Sequence, residues 1–495
     1  MFAANLVKKL NFRFNFQFIY KMLIDHIKNC ILKNLEHIPT DGQNKLIHSL
    51  SDFILDDDNR KIFLLKGYAG TGKTTVISAL VKATTELNIR SLLLAPTGRA
   101  AKVLSSYSQK SAFTIHKKIY RQKSTKDGFG TFILNANLYS NTLFIVDEAS
   151  MISNYSNDLS IFGSGRLLND LLDYVYNDKK CKLILIGDTA QLPPVGIDIS
   201  PALDVNVLSS FNFKVQEIIL TEVLRQSKES GVLFNATEVR ANISSSIIEF
   251  PKILIDEFSD IESIAGNDLI EKINDSYDKY GLENTIIITR SNKRANQYNK
   301  GIRSKILWRE EEIAVGDFIM VVKNNYFWIS DNEDIDFIAN GDIAEIIQIK
   351  KYSERYGFRF ADVVLRFIDY NNVEVTCKII LDTLDINSAA LSNDDNKKFF
   401  YNITEDYAEI KRKKAKYEMV KTNPFFNALQ VKFAYAVTCH KAQGGQWKSV
   451  FVDHGYISDD MIDIEFLRWL YTAFTRPTEK LYLVNFNKKF FNNID

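Results

Sequence analysis

KIFLLKGYAGTGKTTVISAL, residues 61–80, passes from a continuous apolar run through a glycine-rich turn into a segment with helical patterning. Within it, Gly67, Ala69, Gly70, Thr71, Gly72, Lys73 and Thr74 fall on the pattern G-x-x-x-x-G-K-[ST], and Thr75 follows. Glycines at these positions let backbone N–H groups close around phosphate oxygens. The start of the following helix adds a favourable dipole. The pattern assigns Lys73 to the β- and γ-phosphates and the Thr74 hydroxyl to Mg²⁺. The expectation is a nucleoside triphosphate, ATP, held with Mg²⁺ at the end of a buried strand.

Outward from this loop, apolar runs recur at 91–96 (SLLLAP), 142–150 (TLFIVDEAS) and 182–188 (KLILIGD). Each is continuous rather than alternating, as in strands buried on both faces of a parallel sheet. With helical stretches between them they predict a doubly wound α/β domain, whose ligands gather at the carboxyl ends of the strands. The run at 143–148 ends in Asp147 and Glu148. In a phosphate-loop enzyme the first acid holds Mg²⁺ and the second activates the attacking water. Gln191, in GDTAQLPP at 187–194, reads either as a sensor of the γ-phosphate or as an ordinary loop residue.

A second group of apolar runs lies at 284–290, 432–440 (KFAYAVTCH), 449–454 and 481–486, enough for a second α/β domain. Between them, residues 313–382 read as short strands, with turn chemistry at Asn340-Gly341-Asp342 and Asn371-Asn372, and predict an inserted β-barrel. Residues 383–421 are polar and helical in pattern. Their basic run KRKKAK at 411–416 reads as a solvated face, with DNA contact as the other reading.

Composition bounds these readings. A chain of 495 residues suggests about three domains. Hydrophobic content of 46% and charged content of 25% are ordinary for a globular protein. With 62 Lys+Arg against 61 Asp+Glu the net charge of +1 neither favours nor excludes a nucleic-acid partner. The four cysteines are widely spaced, which excludes a disulfide framework and a zinc signature. No apolar run is long enough to span a bilayer, so no membrane partner is expected. Residues 1–21 carry Lys8, Lys9, Arg13 and Lys21 and no acid. Organelle targeting is one reading of that composition; an extension without function, or translation starting at Met22, is the favoured one.

Taken together the motifs resemble superfamily 1 helicases of the RecD and phage Dda type, over residues 40–486. GYAGTGKTT at 67–75 resembles motif I, LAPTGRAAKVL at 94–104 motif Ia, and Thr114-Ile115-His116 motif Ib. VDEASM at 146–151 is similar to motif II, GDTAQLPPVG at 187–196 to motif III and LTEVLRQ at 220–226 to motif IV. VTCHKAQGGQW at 437–447 resembles motif V and LYTAFTRP at 470–477 motif VI. Gln446 and Pro477 depart from the commoner residues of motifs V and VI.

The resemblance implies two RecA-like α/β motor domains with parallel sheets and an inserted SH3-like β-barrel. It divides the chain into an extension (1–38), a first motor domain (39–226) carrying a pin hairpin (117–140), a second motor domain in two parts (227–312 and 425–495), and a barrel with helical extension (313–424). It implies an ATP-dependent helicase that moves 5′→3′ on single-stranded DNA and unwinds duplex. Arg225 and Arg476 become arginine fingers beside Lys73, Asp147, Glu148 and Gln191; Gln43 reads adenine, and Gly445 belongs to the nucleotide site. Pro96, Thr97, Arg99, Thr114 and His116 on one lobe, and Thr438, His440, Lys441 and Gln443 on the other, line the DNA; Phe129 tips the pin. Implied partners are single-stranded and fork DNA, a single-stranded-DNA-binding protein or replication and recombination proteins, and no second subunit. The implied location is the cytoplasm, at a nucleoid or viral replication site. Rival functions are a DNA-stimulated translocase that remodels protein–DNA complexes, an RNA-directed motor, and a non-catalytic scaffold. The intact set of charged residues argues against the scaffold.

Overall fold

The structure, a computed structural model, describes residues 2–122, 132–155, 162–177, 180–223, 230–245, 247–325, 327–329 and 337–491. The first lobe holds β1 (Lys61–Gly67), β2 (Arg90–Ala95), β3 (Ala112–Thr114), a short antiparallel pair β4 (Tyr120–Gln122) and β5 (Phe132–Leu134), then β6 (Thr142–Val146), β7 (Lys182–Gly187) and β8 (Lys214–Leu220). Six of these form one sheet in the order β3-β2-β6-β7-β1-β8, and every pairing in it is parallel.

The continuous apolar runs have a simple cause. Alternate residues of each strand feed different cores. Phe63, Leu65, Leu93 and Ile145 pack under helices Asp41–Leu55 and Lys73–Glu86, whereas Ile62, Leu64, Leu92 and Phe144 pack against Leu168 and Leu171 on the opposite face. The amino-terminal helix Phe2–Lys33 joins the first of these cores through Ile27 and Ile31, so the last part of the 1–38 extension, beyond residues 1–21, completes the hydrophobic layer of the lobe.

The second lobe begins with helix Gly231–Ile243 and strands β9 (Ile261–Ile264) and β10 (Thr285–Thr289). The chain then builds a closed barrel from β11 (Phe318–Val321), β12 (Ile343–Arg355), β13 (Phe358–Phe367), β14 (Val373–Ile380) and β15 (Leu429–Phe433). Left-handed Asn371 and Asn372 turn β13 into β14, as their residue type suggests. Two helices, Asn393–Glu405 and Lys413–Lys421, fill the connection from β14 to β15. Phe399 and Phe425 seat this connection against Phe360 of the barrel. Strands β16 (Ala436–Thr438), β17 (Trp447–Asp453) and β18 (Pro477–Val484) return to a parallel sheet ordered β16-β10-β17-β18-β9.

Two sheets of parallel strands and one barrel agree with the expected α/β class. One element differs. The run at 432–440 reads as a single strand of the second motor domain, yet it contributes to two sheets. Phe433 pairs with Ile319 in the barrel, while Ala436–Thr438 pairs with β10. The break falls at Tyr435, whose buried hydroxyl donates to Asp317 (2.8 Å) and accepts from the Phe318 N–H (3.2 Å). The barrel therefore ends at Phe433, nine residues beyond the boundary at 424. Among the described residues no helix is long and apolar enough to cross a membrane.

Candidate functional site

A cleft of about 550 Å³ opens at the carboxyl ends of the first-lobe strands. Gly70, Gly72, Lys73, Thr74, Thr75, Asp147, Glu148, Asp188 and Gln191 line it from the first lobe; Gln446, Thr475 and Arg476 line it from the second. Helix Lys73–Glu86 starts here with left-handed Gly72 at its N-cap and no side-chain cap, so its first-turn N–H groups remain free to meet an anion. The Lys73 ammonium donates to the carbonyls of Gly67 (2.7 Å) and Tyr68 (2.9 Å). The Ala69 N–H donates to the Tyr471 hydroxyl of the second lobe (2.8 Å).

Asp147 accepts from the Tyr107 hydroxyl (2.5 Å) and from the backbone N–H of Glu148 (2.8 Å). Burial, then the Asp147 charge, pushes the Tyr107 phenol up, so it remains a donor. Glu148 adopts a left-handed backbone (φ +52°), an uncommon state for a residue with a side chain and one found at functional positions. Desolvation raises its carboxyl above the usual range, the Arg476 and Lys73 cations oppose that rise, and Asp147 and Asp188 add to it.

Arg476 is 3% exposed. Among the described residues its guanidinium donates only to neutral oxygens: the carbonyls of Thr472 (3.1 Å) and Gly445 (3.2 Å) and the Thr475 hydroxyl (2.9 Å). Its charge is thus oriented without being neutralised by a carboxylate partner among the described residues. Gly445, expected in the nucleotide site, supports the arginine through its carbonyl. A Cβ there would collide with Trp447 and with Arg99 Nε, which is why a glycine stands at this position.

The buried Gln191 Oε1 has no hydrogen-bond partner among the described residues, although it lies in the cleft wall. The loop that carries Gln191 is anchored in the other lobe. Ala190 and Leu192 lie in the second-lobe core; Leu192 N–H donates to Thr472 Oγ1 (2.9 Å) and its carbonyl accepts from Gln443 Nε2 (2.5 Å). Gln43 is wholly buried and outside the cleft lining. Its Nε2 donates to the Thr71 carbonyl (3.1 Å), and its Oε1 accepts from the Thr40 N–H (3.1 Å) in a capping box. Its amide braces the phosphate loop from behind. Arg225 and Phe129 lie outside the described residues.

Most of the residues expected to line DNA have partners within the protein. Thr97 and Thr114 cap helices by accepting from Ala100 N–H (3.2 Å) and Lys117 N–H (3.1 Å). Arg99 stacks on Trp447 (4.1 Å) and donates to the Gln446 carbonyl (3.2 Å). Lys441 donates to Asn340 of the barrel, and burial pushes its ammonium down to about 8. His116 packs against Phe162 and Phe337, with ring centroids 4.8 and 6.2 Å away. Burial pushes its imidazole down to about 4, so it is uncharged at neutral pH and offers a phosphate no cation. Pro96, Thr438 and His440 are half-buried. Tyr107, Tyr471 and Thr472 belong to the site and were missed by motif reading, although LYTAFTRP contains two of them.

A family model described as "AAA domain" matches residues 41–242, and one described as "UvrD-like helicase C-terminal domain" matches residues 433–484. Protein R530 of Acanthamoeba polyphaga mimivirus is 26% identical over 89% of this chain and 98% of its own length. The ATP-dependent RecD2 DNA helicase of Deinococcus radiodurans is 30% identical over 35% of this chain, which spans 21% of that longer protein. The ATP-dependent DNA helicase dda of Enterobacteria phage T4 is 24% identical over 57% of this chain and 60% of its own length.

Proposed function

We propose that this chain is a superfamily 1 DNA helicase of the RecD and Dda type, an ATP-hydrolysing motor that moves 5′→3′ along single-stranded DNA and opens the duplex ahead of it. The observation that carries this reading is the shared cleft, in which Lys73, Asp147, Glu148 and Gln191 of one lobe face the carboxylate-free guanidinium of Arg476 on the other. A hydrolysis site completed by the second lobe can convert each turnover into relative movement of the lobes.

The donor set fits a nucleoside triphosphate with Mg²⁺. The amides of Gly70, Gly72, Lys73, Thr74 and Thr75 and the Lys73 ammonium would hold the phosphates; the Thr74 hydroxyl and Asp147 would hold the metal. Held there, the metal would supply charge neutralisation for the transferring phosphates. Glu148 takes the proton of the attacking water, and the unpartnered Gln191 Oε1 accepts its other hydrogen. Arg476 stabilises the charge that develops on the transferring group, with Arg225 as the second finger in this reading. Such a finger is typically worth about 10³–10⁵ in rate. Single-stranded DNA runs along the seam past Pro96, Thr97, Thr438 and His440, fork DNA meets the pin carrying Phe129, and a monomer suffices.

The test uses two partial duplexes, one with a 5′ and one with a 3′ single-stranded tail, with ATP and Mg²⁺ and with Lys73→Ala as control. The expected result is unwinding of the 5′-tailed substrate alone, abolished in the variant. Unwinding of the 3′-tailed substrate alone overturns the polarity. Intact DNA-stimulated ATPase without unwinding of either substrate identifies a translocase.

A further inference from the structure

Two residues of the second lobe that no motif role claims hold the phosphate loop directly. Tyr471 lies on helix Ile464–Phe474 and is 1% exposed. Its hydroxyl accepts from the Ala69 N–H (2.8 Å) and donates to Asp188 Oδ2 (2.6 Å), so both partners belong to the first lobe while the ring is packed in the second. Arg240 lies on helix Gly231–Ile243, which packs against the Tyr471 helix. Its guanidinium carbon sits 4.4 Å over the ring of Tyr68, and its buried Nη1 has no hydrogen-bond partner among the described residues. Tyr68 in turn holds the Lys73 ammonium through its carbonyl (2.9 Å).

We propose, on the reading of the chain as an ATP-driven motor, that Tyr471 and Arg240 are positioning residues that clamp Tyr68-Ala69 of the phosphate loop from the second lobe and hold the two lobes closed for ATP. Neither residue is assigned to the reacting atoms. The two Tyr471 bonds and the Arg240 stack join groups on different lobes, so they exist only when the lobes meet. They coexist with Arg476 of the second lobe and Glu148 of the first lining one cleft. The clamp thus belongs to the arrangement that hydrolyses. A contact present in the closed state and absent from the open one shifts the equilibrium between them by its differential free energy. Two buried hydrogen bonds, one of them to a carboxylate, set that shift at about tenfold. The shift appears in the apparent affinity for ATP, because the clamp does not change between bound ATP and the transition state. Burial, and then Asp188, pushes the Tyr471 phenol far above its usual value, so the hydroxyl keeps the proton it donates.

The test measures single-stranded-DNA-stimulated ATP turnover by the full chain for Tyr471→Phe and for Arg240→Leu, with Arg476→Ala alongside. The expected outcome is a KM for ATP raised about tenfold by Tyr471→Phe and several-fold by Arg240→Leu, with kcat within about threefold of the parent. Arg476→Ala shows the opposite split, with kcat down at least about 10²-fold. Unchanged KM in both variants overturns the proposal, as does a kcat as low as that of Arg476→Ala. Should Tyr471→Phe fold poorly by circular dichroism, the cycle of Tyr68→Leu and Arg240→Leu decides. A double variant no worse than either single supports the clamp, and additive effects refute it. A parent protein without DNA-stimulated ATPase defeats the motor reading instead, so the two failures are distinguishable.

Discussion

Glu148 combines a left-handed backbone, a desolvated carboxyl and two facing cations, Arg476 and Lys73. A general base must be ionised, and its folded pKa is raised, so activity is lost as pH falls through that raised value. The acid limb of kcat against pH is therefore expected above the ordinary glutamate value of about 4.3. In Arg476→Gln the residual activity should show the limb moved further up, because the strongest opposing charge is gone. An acid limb at or below the ordinary value would remove Glu148 from the role of base. The same scale shows where motif reading has limits. Lys73, Asp147 and Glu148 were legible because phosphate chemistry restricts both residue type and spacing. His116 and Gln43 occupy motif positions, yet their surroundings determine what they do. Three aromatic rings claim the imidazole, and a capping box together with the Thr71 carbonyl claims the amide. Contacts of that kind come from residues far away in sequence and leave no local pattern.

Among the elements, the parallel strands of both lobes announced themselves as unbroken aliphatic runs, since two-sided burial leaves no polar alternation. The barrel was legible from its turns, but its last strand was not. Residues 429–433 (LQVKF) lead into the sheet strand Ala436–Thr438 after two residues, and the Tyr435–Asp317 contact falls between the two. The barrel also meets the first lobe closely around Gly98. Tyr370 donates to Asp342 (3.0 Å), both lie against Gly98, and Lys102 pairs with Asp369 (3.4 Å). Burial pushes the Asp342 carboxyl up to about 8. A raised acid contributes its full stability only below its unfolded pKa of about 4, and loses it as pH climbs towards about 8. The melting temperature of the parent should accordingly fall, between pH 5 and pH 8.5, by about 2 °C or more beyond that of Asp342→Asn. Parallel pH dependence of the two proteins would show that Asp342 is ionised in the fold.

At the scale of the whole molecule, the lobes are joined through the loop that carries Gln191. Ala190 and Leu192 of the first lobe are members of the second lobe's core, and Gln443 and Thr472 take both backbone groups of Leu192. Cutting Leu192 back to alanine should cost about 2–5 kcal/mol of stability. It should also reduce the stimulation of ATPase by single-stranded DNA more than the basal rate, measured as the ratio of the two. Equal losses would mean that the loop only stabilises. None of this coupling was visible as pattern, because an apolar residue in a proline-rich loop looks the same whichever lobe buries it.

The barrel is entered by β11 and left by β15, and these two strands are antiparallel neighbours, Ile319 beside Phe433. The way in and the way out thus stand side by side like the two legs of a hairpin. An ancestral gene could have gained or lost everything between them at one short turn, and the second motor sheet on either side would have kept its strand order.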